Sequence, residues 1–189
     1  MTSLADRDAD LVVDVDAVAQ AAKWEPRAPA SEVDSGAVVT GRGIALATHL
    51  QSWGAAVAEV EVNRRTGKVL AKKLYGAIDA GLTVNPGNVE AQITGQLVQA
   101  ASRMLIEEVK FTPEGVTSLD WASYPVIRFE EVPEVVPIVV QRLNARSSGA
   151  GEECLAAAAA AIANAFFDAT GVHMTEHPLT PERVRAALG

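Results

Sequence analysis

Between Ala55 and Lys73 the chain reads AAVAEVEVNRRTGKVLAKK. Val57, Val60 and Val62 mark an apolar–polar alternation, imperfect but clear, of the kind a half-buried strand requires. NRRTG then supplies a turn, with Gly67 free to take positive φ. Val69, Leu70 and Leu74 mark a return arm, so the stretch reads as a β-hairpin. YGAIDA, Tyr75–Ala80, extends its second arm. A lone hairpin is marginal in water and needs further strands or helices against its apolar face.

The flanking sequence supplies them. GLTVNPGNVEAQITGQLVQAASRMLIEEV follows from Gly81. Asn85-Pro86-Gly87 is a turn, Asn88 a candidate N-cap, and a helix is predicted from Val89 to about Glu107. Ile93, Leu97, Val98, Ala101, Met104 and Leu105 form its apolar face. Gly95 interrupts it at a cost of about 1 kcal/mol against alanine. Either close helix packing or close backbone approach to something bound would account for that glycine. VKFTPEGVTS reads as a second hairpin about Pro113-Glu114-Gly115. YPVIRF and VVPIVVQRL read as further strands, kept to edges or strand starts by Pro125, Pro133 and Pro137. A last long helix covers about Glu153 to Ala169 with Gly171 as its C-cap. Thr180-Pro181-Glu182 opens a short tail helix.

Upstream, GRGIALATH opens the folded part from Gly41. Before it lie a largely polar stretch, residues 1–10, and a short amphipathic helix within Val12–Lys23, carrying Val15, Val18, Ala19 and Ala22 on one side. Pro26 and Pro29 stop that helix, and Arg27 to Gly36 is a linker. The sum is an α+β fold, a mixed β-sheet with packed helices. It divides into an N-terminal arm, residues 1–40, and a domain, residues 41–189.

The chain has 189 residues, 49% hydrophobic and 21% charged, which suits one ordered domain with a short arm. The net charge of −8 argues against a nucleic-acid surface. A single cysteine, Cys154, excludes an internal disulfide and a thiolate metal site built by this chain alone. The apolar run Leu155–Phe167 is too short for a membrane span, and a cytoplasmic protein is expected.

The chemically informative stretch is SSGAGEECLAAAAAAIANAFFDATG, Ser147–Gly171. Glycines let backbone bend sharply and approach a ligand. The N–H groups of a helix start favour an anion. A glutamate placed there is favoured as the carboxylate by the dipole and disfavoured by burial against an apolar helix. The balance suits a proton acceptor working near neutral pH. The plainer reading is that Glu152 and Glu153 complement the helix dipole on a solvated surface. Other candidates carry less. His49, His173 and His177 are scattered, and Pro178 spoils a helical pairing of the last two. Asp79 before Gly81 reads as a strand end, with a ligand contact as the alternative. Trp24, Trp53 and Trp121 read as packing residues, and Arg64, Arg65 and Lys68 as a solvated turn. Cys154 is either a small buried filler or an activated thiol at a helix N-terminus.

Taken in order, GRGIAL, VAEVEVNRRTGKV, AIDAGLTVNPGNVEAQITGQLVQ, SYPVIRF with VPEV, GAGEE and AIANAFFDATG resemble one family. It is the C-terminal part of the molybdopterin-binding large subunit of the xanthine dehydrogenase / aldehyde oxidase family, nearest its isoquinoline and nicotinate oxidoreductase branch. The resemblance runs from about Ala17 to Leu179. It implies that Glu152 matches the family's GxGE glutamate, the base beside molybdenum, and that Gly149, Ala150 and Gly151 line the cofactor. It implies hydroxylation of an electron-poor carbon of an N-heteroaromatic substrate, with aldehydes as the alternative. It also implies a molybdopterin, in the cytosine dinucleotide form, bound mostly by a partner chain, with [2Fe-2S] clusters on another. The expected partners are a larger cofactor-binding fragment of the same subunit, an iron–sulfur subunit and, as further candidates, a flavin or cytochrome subunit. The resemblance thus points to a split subunit. Two departures stand out: Glu153 and CLAAAAAAIANA follow the glutamate where the family commonly has a proline-containing run, and Gln92 leads to TGQ where it usually has a double glycine. A non-catalytic assembly module that retains the fold is the alternative reading.

Overall fold

The computed structural model describes residues 14–25, 36–49 and 51–189. The largely polar residues 1–10, the stop at Pro26 and Pro29, and the linker up to residue 35 lie outside the described residues. The predicted hairpin is β2 (Ser52–Asn63) and β3 (Val69–Asp79), antiparallel, with Val57 opposite Tyr75 and Val62 opposite Val69. The pairing shifts at Glu59/Val60, where Lys72 is the extra residue on β3. The imperfect alternation has another cause, since Val57 lies on the opposite face from Val60 and Val62. β1 (Val38–His49) pairs antiparallel with β2, starting ahead of Gly41. The second predicted hairpin forms only a two-residue pairing, β4 (Phe111–Thr112) with β5 (Gly115–Val116). β6 (Glu134–Val140) lies parallel to β3 at the sheet edge, where Pro137 is tolerated. The four-stranded order β1-β2-β3-β6 is therefore mixed.

YPVIRF is not a strand. Residues 124–128 are irregular and a 3-10 turn covers Phe129–Glu131. Pro125 has no N–H for a ladder. The N–H of Ile127 is taken by the Ser102 hydroxyl (2.9 Å), and the free edge of β3 is already occupied by β6.

Both faces of the sheet are covered. On one side α2 (Pro86–Leu105), α3 (Glu153–Thr170) and α4 (Pro181–Leu188) share a core with Ala56, Ala58, Val60 and Val62. On the other, α1 (residues 14–21) brings Val18 and Ala22 against Ala55, Val57, Tyr75 and Ala77. Alternate residues of β2 thus enter opposite cores, which is the physical content of its period-two pattern. α1 ends with Lys23 at φ 48°, while the Trp24 N–H reaches back to the Ala19 carbonyl (2.7 Å). Arg42 of β1 donates to the carbonyls of Ala22 and Lys23 and stacks over Trp24 at 5.3 Å. It ties this helix end to the sheet. α2 is capped by Asn85, not Asn88. The Asn85 side chain accepts the Asn88 N–H (3.1 Å), because Pro86, which lacks an N–H, fits the first helical position.

α3 lies unusually close to the strands. A Cβ on Gly43 would stand 2.2 Å from the Ala161 carbonyl oxygen, one on Gly41 2.2 Å from that of Ala165, and one on Gly54 2.6 Å from that of Glu153. Ala161 and Ala165, which face Gly41 and Gly43, are fully buried, as are Ala157 and Ala158 of the same run. The alanine run and GRG are two halves of one contact. At its head Cys154 packs over Gly76, its Sγ 3.6 Å from the Ala77 carbonyl oxygen. Burial pushes this thiol far up, with Asp14 and Glu153 adding to the effect. That settles Cys154 as a buried filler.

Three outcomes follow from this packing. Gly43→Ala has no room against helix backbone and should cost about 3 kcal/mol or more, read by thermal and denaturant melting. Gly95→Ala should do the opposite, gaining up to about 1 kcal/mol, because a Cβ there meets nothing within 4 Å and close helix packing does not explain this glycine. For Cys154, the folded chain keeps a proton that the unfolded chain releases above the thiol's ordinary value of 9.0. Stability should fall with rising pH beyond that point by up to about 1.4 kcal/mol per pH unit. Denaturation of Cys154→Ala on either side of that value should show the slope removed.

Candidate functional site

One end of the sheet gathers the loops. Trp53 at the head of β2 pairs with Asp79 at the end of β3, and Asp79 with Val140 at the end of β6. The segments that leave β3 and β6 are stitched together. The Ser148 N–H donates to the Ala80 carbonyl (2.8 Å), and the Gln141 carboxamide bonds Thr83 in both directions (2.8 and 3.0 Å). Gly81, at φ 74°, could not carry a side chain, since a Cβ would lie 2.1 Å from the Arg146 carbonyl oxygen. Asp79 is buried, accepts the Gly81 N–H (2.8 Å) and pairs with Arg142. It ends the strand, as its sequence context suggested.

This framework delivers residues 149–154 to the start of α3. The Ser52 hydroxyl donates to the Gly149 carbonyl (2.5 Å). Gln96, from α2, donates through Nε2 to the Ala150 carbonyl (2.8 Å) and accepts the Cys154 N–H at Oε1 (2.7 Å). Among the described residues, no hydrogen bond uses the N–H of Gly149, Ala150 or Gly151. A Cβ on Gly151 would meet nothing within 4 Å.

The two glutamates have opposite fates. Glu153 is buried, its side chain 2% exposed, and its Oε2 accepts the Glu152 N–H (3.0 Å). It is a buttress of the loop, which answers a role that the sequence left open. Glu152 occupies the N-cap position, yet its side chain makes no capping bond and is 76% exposed. The burial expected of this carboxylate is therefore not supplied by its own chain, because the apolar side of α3 turns to the sheet. Nor do the pair form a solvated acidic surface, since one of them is inside.

Sequence reasoning missed two participants. His49, at the end of β1, places Nδ1 3.6 Å from Glu152 Oε2 and 3.9 Å from Glu153 Oε1. It lies far from them in sequence, and nothing local marks it. Gln96 did leave a signal, a polar residue on the buried stripe with Ile93, Leu97 and Ala100. Other candidates fall elsewhere. His173 stacks on Phe167 with ring centroids 3.8 Å apart. His177 is held below its usual range by burial and then by Arg183. The hairpin turn is less solvated than expected, since Arg185 donates to the Thr66 carbonyl (2.8 Å). Trp121 is not a packing residue within this chain: it is 79% exposed.

In chemical terms the loop offers a carboxylate outside the fold, on a rigid helix start, beside three uncommitted N–H donors. Comparison with known proteins gives that arrangement a context. Residues 9–133 match the family model of the molybdopterin cofactor-binding domain. The chain is 42% identical over 184 residues to a nicotinate dehydrogenase subunit of Pseudomonas putida, covering 93% of this chain and 16% of that protein. It is 29% identical to the beta subunit of isoquinoline 1-oxidoreductase of Brevundimonas diminuta, covering 87% of this chain and 20% of that one. Among solved structures, the aldehyde oxidoreductase from Desulfovibrio gigas matches with a TM-score of 0.62 at 28% identity, over 72% of this chain and 15% of that one. The chain thus spans a fifth or less of the length of each. Among the described residues no helix is long and apolar enough to cross a membrane. With a family match over well more than half its length and these relatives, the chain belongs to the molybdopterin-binding subunits of the xanthine dehydrogenase / aldehyde oxidase family.

Proposed function

We propose that this chain presents Glu152 as the base of a molybdenum hydroxylase whose molybdopterin centre is held mainly by a larger cofactor-binding portion of the subunit. One observation carries the reading: Glu152 stands at a rigid helix start with its carboxylate uncommitted to a cap and facing out of the fold. The residues fit such a group. Gly149, Ala150 and Gly151 have N–H donors free for an anionic cofactor, and the space above Gly151 is open. When bound, the cofactor supplies two-electron oxidation chemistry. Glu152 takes, at a carboxylate oxygen, the proton that the incoming oxygen nucleophile must lose. Glu153 and Gln96 keep the loop from yielding as it does so.

The substrate class we assign is N-heteroaromatic, supported by the names of the nicotinate and isoquinoline relatives. The aldehyde oxidoreductase similarity favours an aldehyde as the second reading. The cofactor is assigned as the cytosine dinucleotide form of molybdopterin. Electrons leave through [2Fe-2S] clusters on an iron–sulfur partner and pass on to a flavin or cytochrome subunit, in the cytoplasm. Phe111, Trp121 and Phe129 are 77%, 79% and 95% exposed, which supports the need for a covering partner.

In the assembled complex, Glu152→Gln should lower turnover by about 100- to 10,000-fold, while molybdenum content stays at the native level. Unchanged turnover with full cofactor loading would remove Glu152 from the base role.

A further inference from the structure

We propose that Gln96 is a positioning residue for Glu152, an inference that rests on Glu152 being the base. Its two hydrogen bonds straddle the glutamate, one to the carbonyl of Ala150 and one from the N–H of Cys154. Gln96 itself is 4% exposed and sits on the buried face of α2. Among the bonds that hold the loop, those of Gln96 are the two that reach it from α2. Gly149 and Gly151 leave its backbone permissive, and the N–H groups from Gly149 to Gly151 bond nothing among the described residues. Other ties are Ser52 to the Gly149 carbonyl, Glu153 to the Glu152 N–H and the Leu155 N–H to the Glu152 carbonyl, with Ser148 fastened to Ala80 just ahead and His49 beside the Glu152 carboxylate.

The chemistry of the clamp selects the residue type. One partner is a carbonyl, which must receive a donor. The other is an N–H, which must meet an acceptor. A carboxamide provides both at once from one planar group, and this pair of partners also fixes which way the amide faces. An ionised carboxylate can only accept, and a thioether of similar length does neither job well. Burial makes each unmade bond costly, so the loop would shift to find partners elsewhere. A shift of that kind moves Glu152 with it. A misplacement of about 1 Å at a reacting group is enough for roughly a 100-fold loss of rate.

The test uses the assembled, cofactor-loaded complex with Gln96→Met and Gln96→Glu, and with Glu152→Gln as reference. Gln96→Met should lower kcat by about 100-fold with KM and molybdenum content near native. Amide hydrogen exchange should show the Cys154 N–H exchanging about tenfold faster or more, a readout independent of activity. Gln96→Glu should be impaired more with its new carboxyl ionised than with it protonated and able to donate again, so its rate relative to the native complex at the same pH should fall as pH rises. Native kcat in Gln96→Met, with the Cys154 amide deprotected, would overturn the proposal. If Gln96→Met does not assemble, Gln96→Glu decides: a native rate at every pH overturns the clamp, and a rate reduced throughout or on ionisation supports it. A native rate in Glu152→Gln would remove the base reading and this proposal together. A native rate in Gln96→Met beside an impaired Glu152→Gln would remove only the clamp.

Discussion

The structure depends on the contact between the backbone of α3 and the backbones of β1 and β2. A helix normally stands off a sheet by the thickness of two side-chain layers. Here Gly41, Gly43 and Gly54 remove one layer and the alanines of α3 thin the other. An alanine-rich helix buries little apolar area per residue, so its hold on the sheet comes less from area than from dense atom-to-atom contact. That contact tolerates no added methyl group, which makes it rigid as well as stabilising. Everything at the N-terminus of α3 inherits the rigidity.

The site is an extension of that contact. Gly54 meets Glu153 and Gly76 meets Cys154, so the glycine track runs up to the first turn of the helix. Beyond it the chain leaves the sheet and must be held by polar groups instead. Ser52, Gln96 and Glu153 do this from a strand, a neighbouring helix and the first residue of α3. The outcome is a division of labour within one short segment. Glu153 is spent on structure, and Glu152 is left outside with no structural task. A group with no structural role on a tightly held support is what proton transfer at a bound centre requires.

Much of this was legible in order. The hairpin, the mixed sheet, the long helices, the αL cap at Gly171 and the Thr180-Pro181 helix start all follow from local chemistry. The failures have physical reasons. YPVIRF has strand composition, yet Pro125 and the hydroxyl of Ser102 divert its backbone. Asn85-Pro86-Gly87 reads as a turn with Asn88 as the cap after it, whereas Pro86 is suited to the first helical turn and Asn85 is the cap. Trp121 reads as a packing residue in the sequence, and within this chain it stays exposed. His49 could be named but not linked to the glutamates, because its approach to them is a matter of tertiary packing.

Side-chain periodicity, caps and glycines were enough to say which segments are strands and helices and roughly where most of them start and stop. The ordered resemblance to one family was enough to single out GAGEE as the chemically distinctive stretch. All of these are properties of local sequence. The folded chain was needed to learn which glutamate faces out, that Cys154 is inert, and that Gln96 and His49 belong to the site. Each of these turns on which atoms from distant segments meet. Burial and hydrogen-bond partnership are properties of those meetings, and no single stretch of chain contains them.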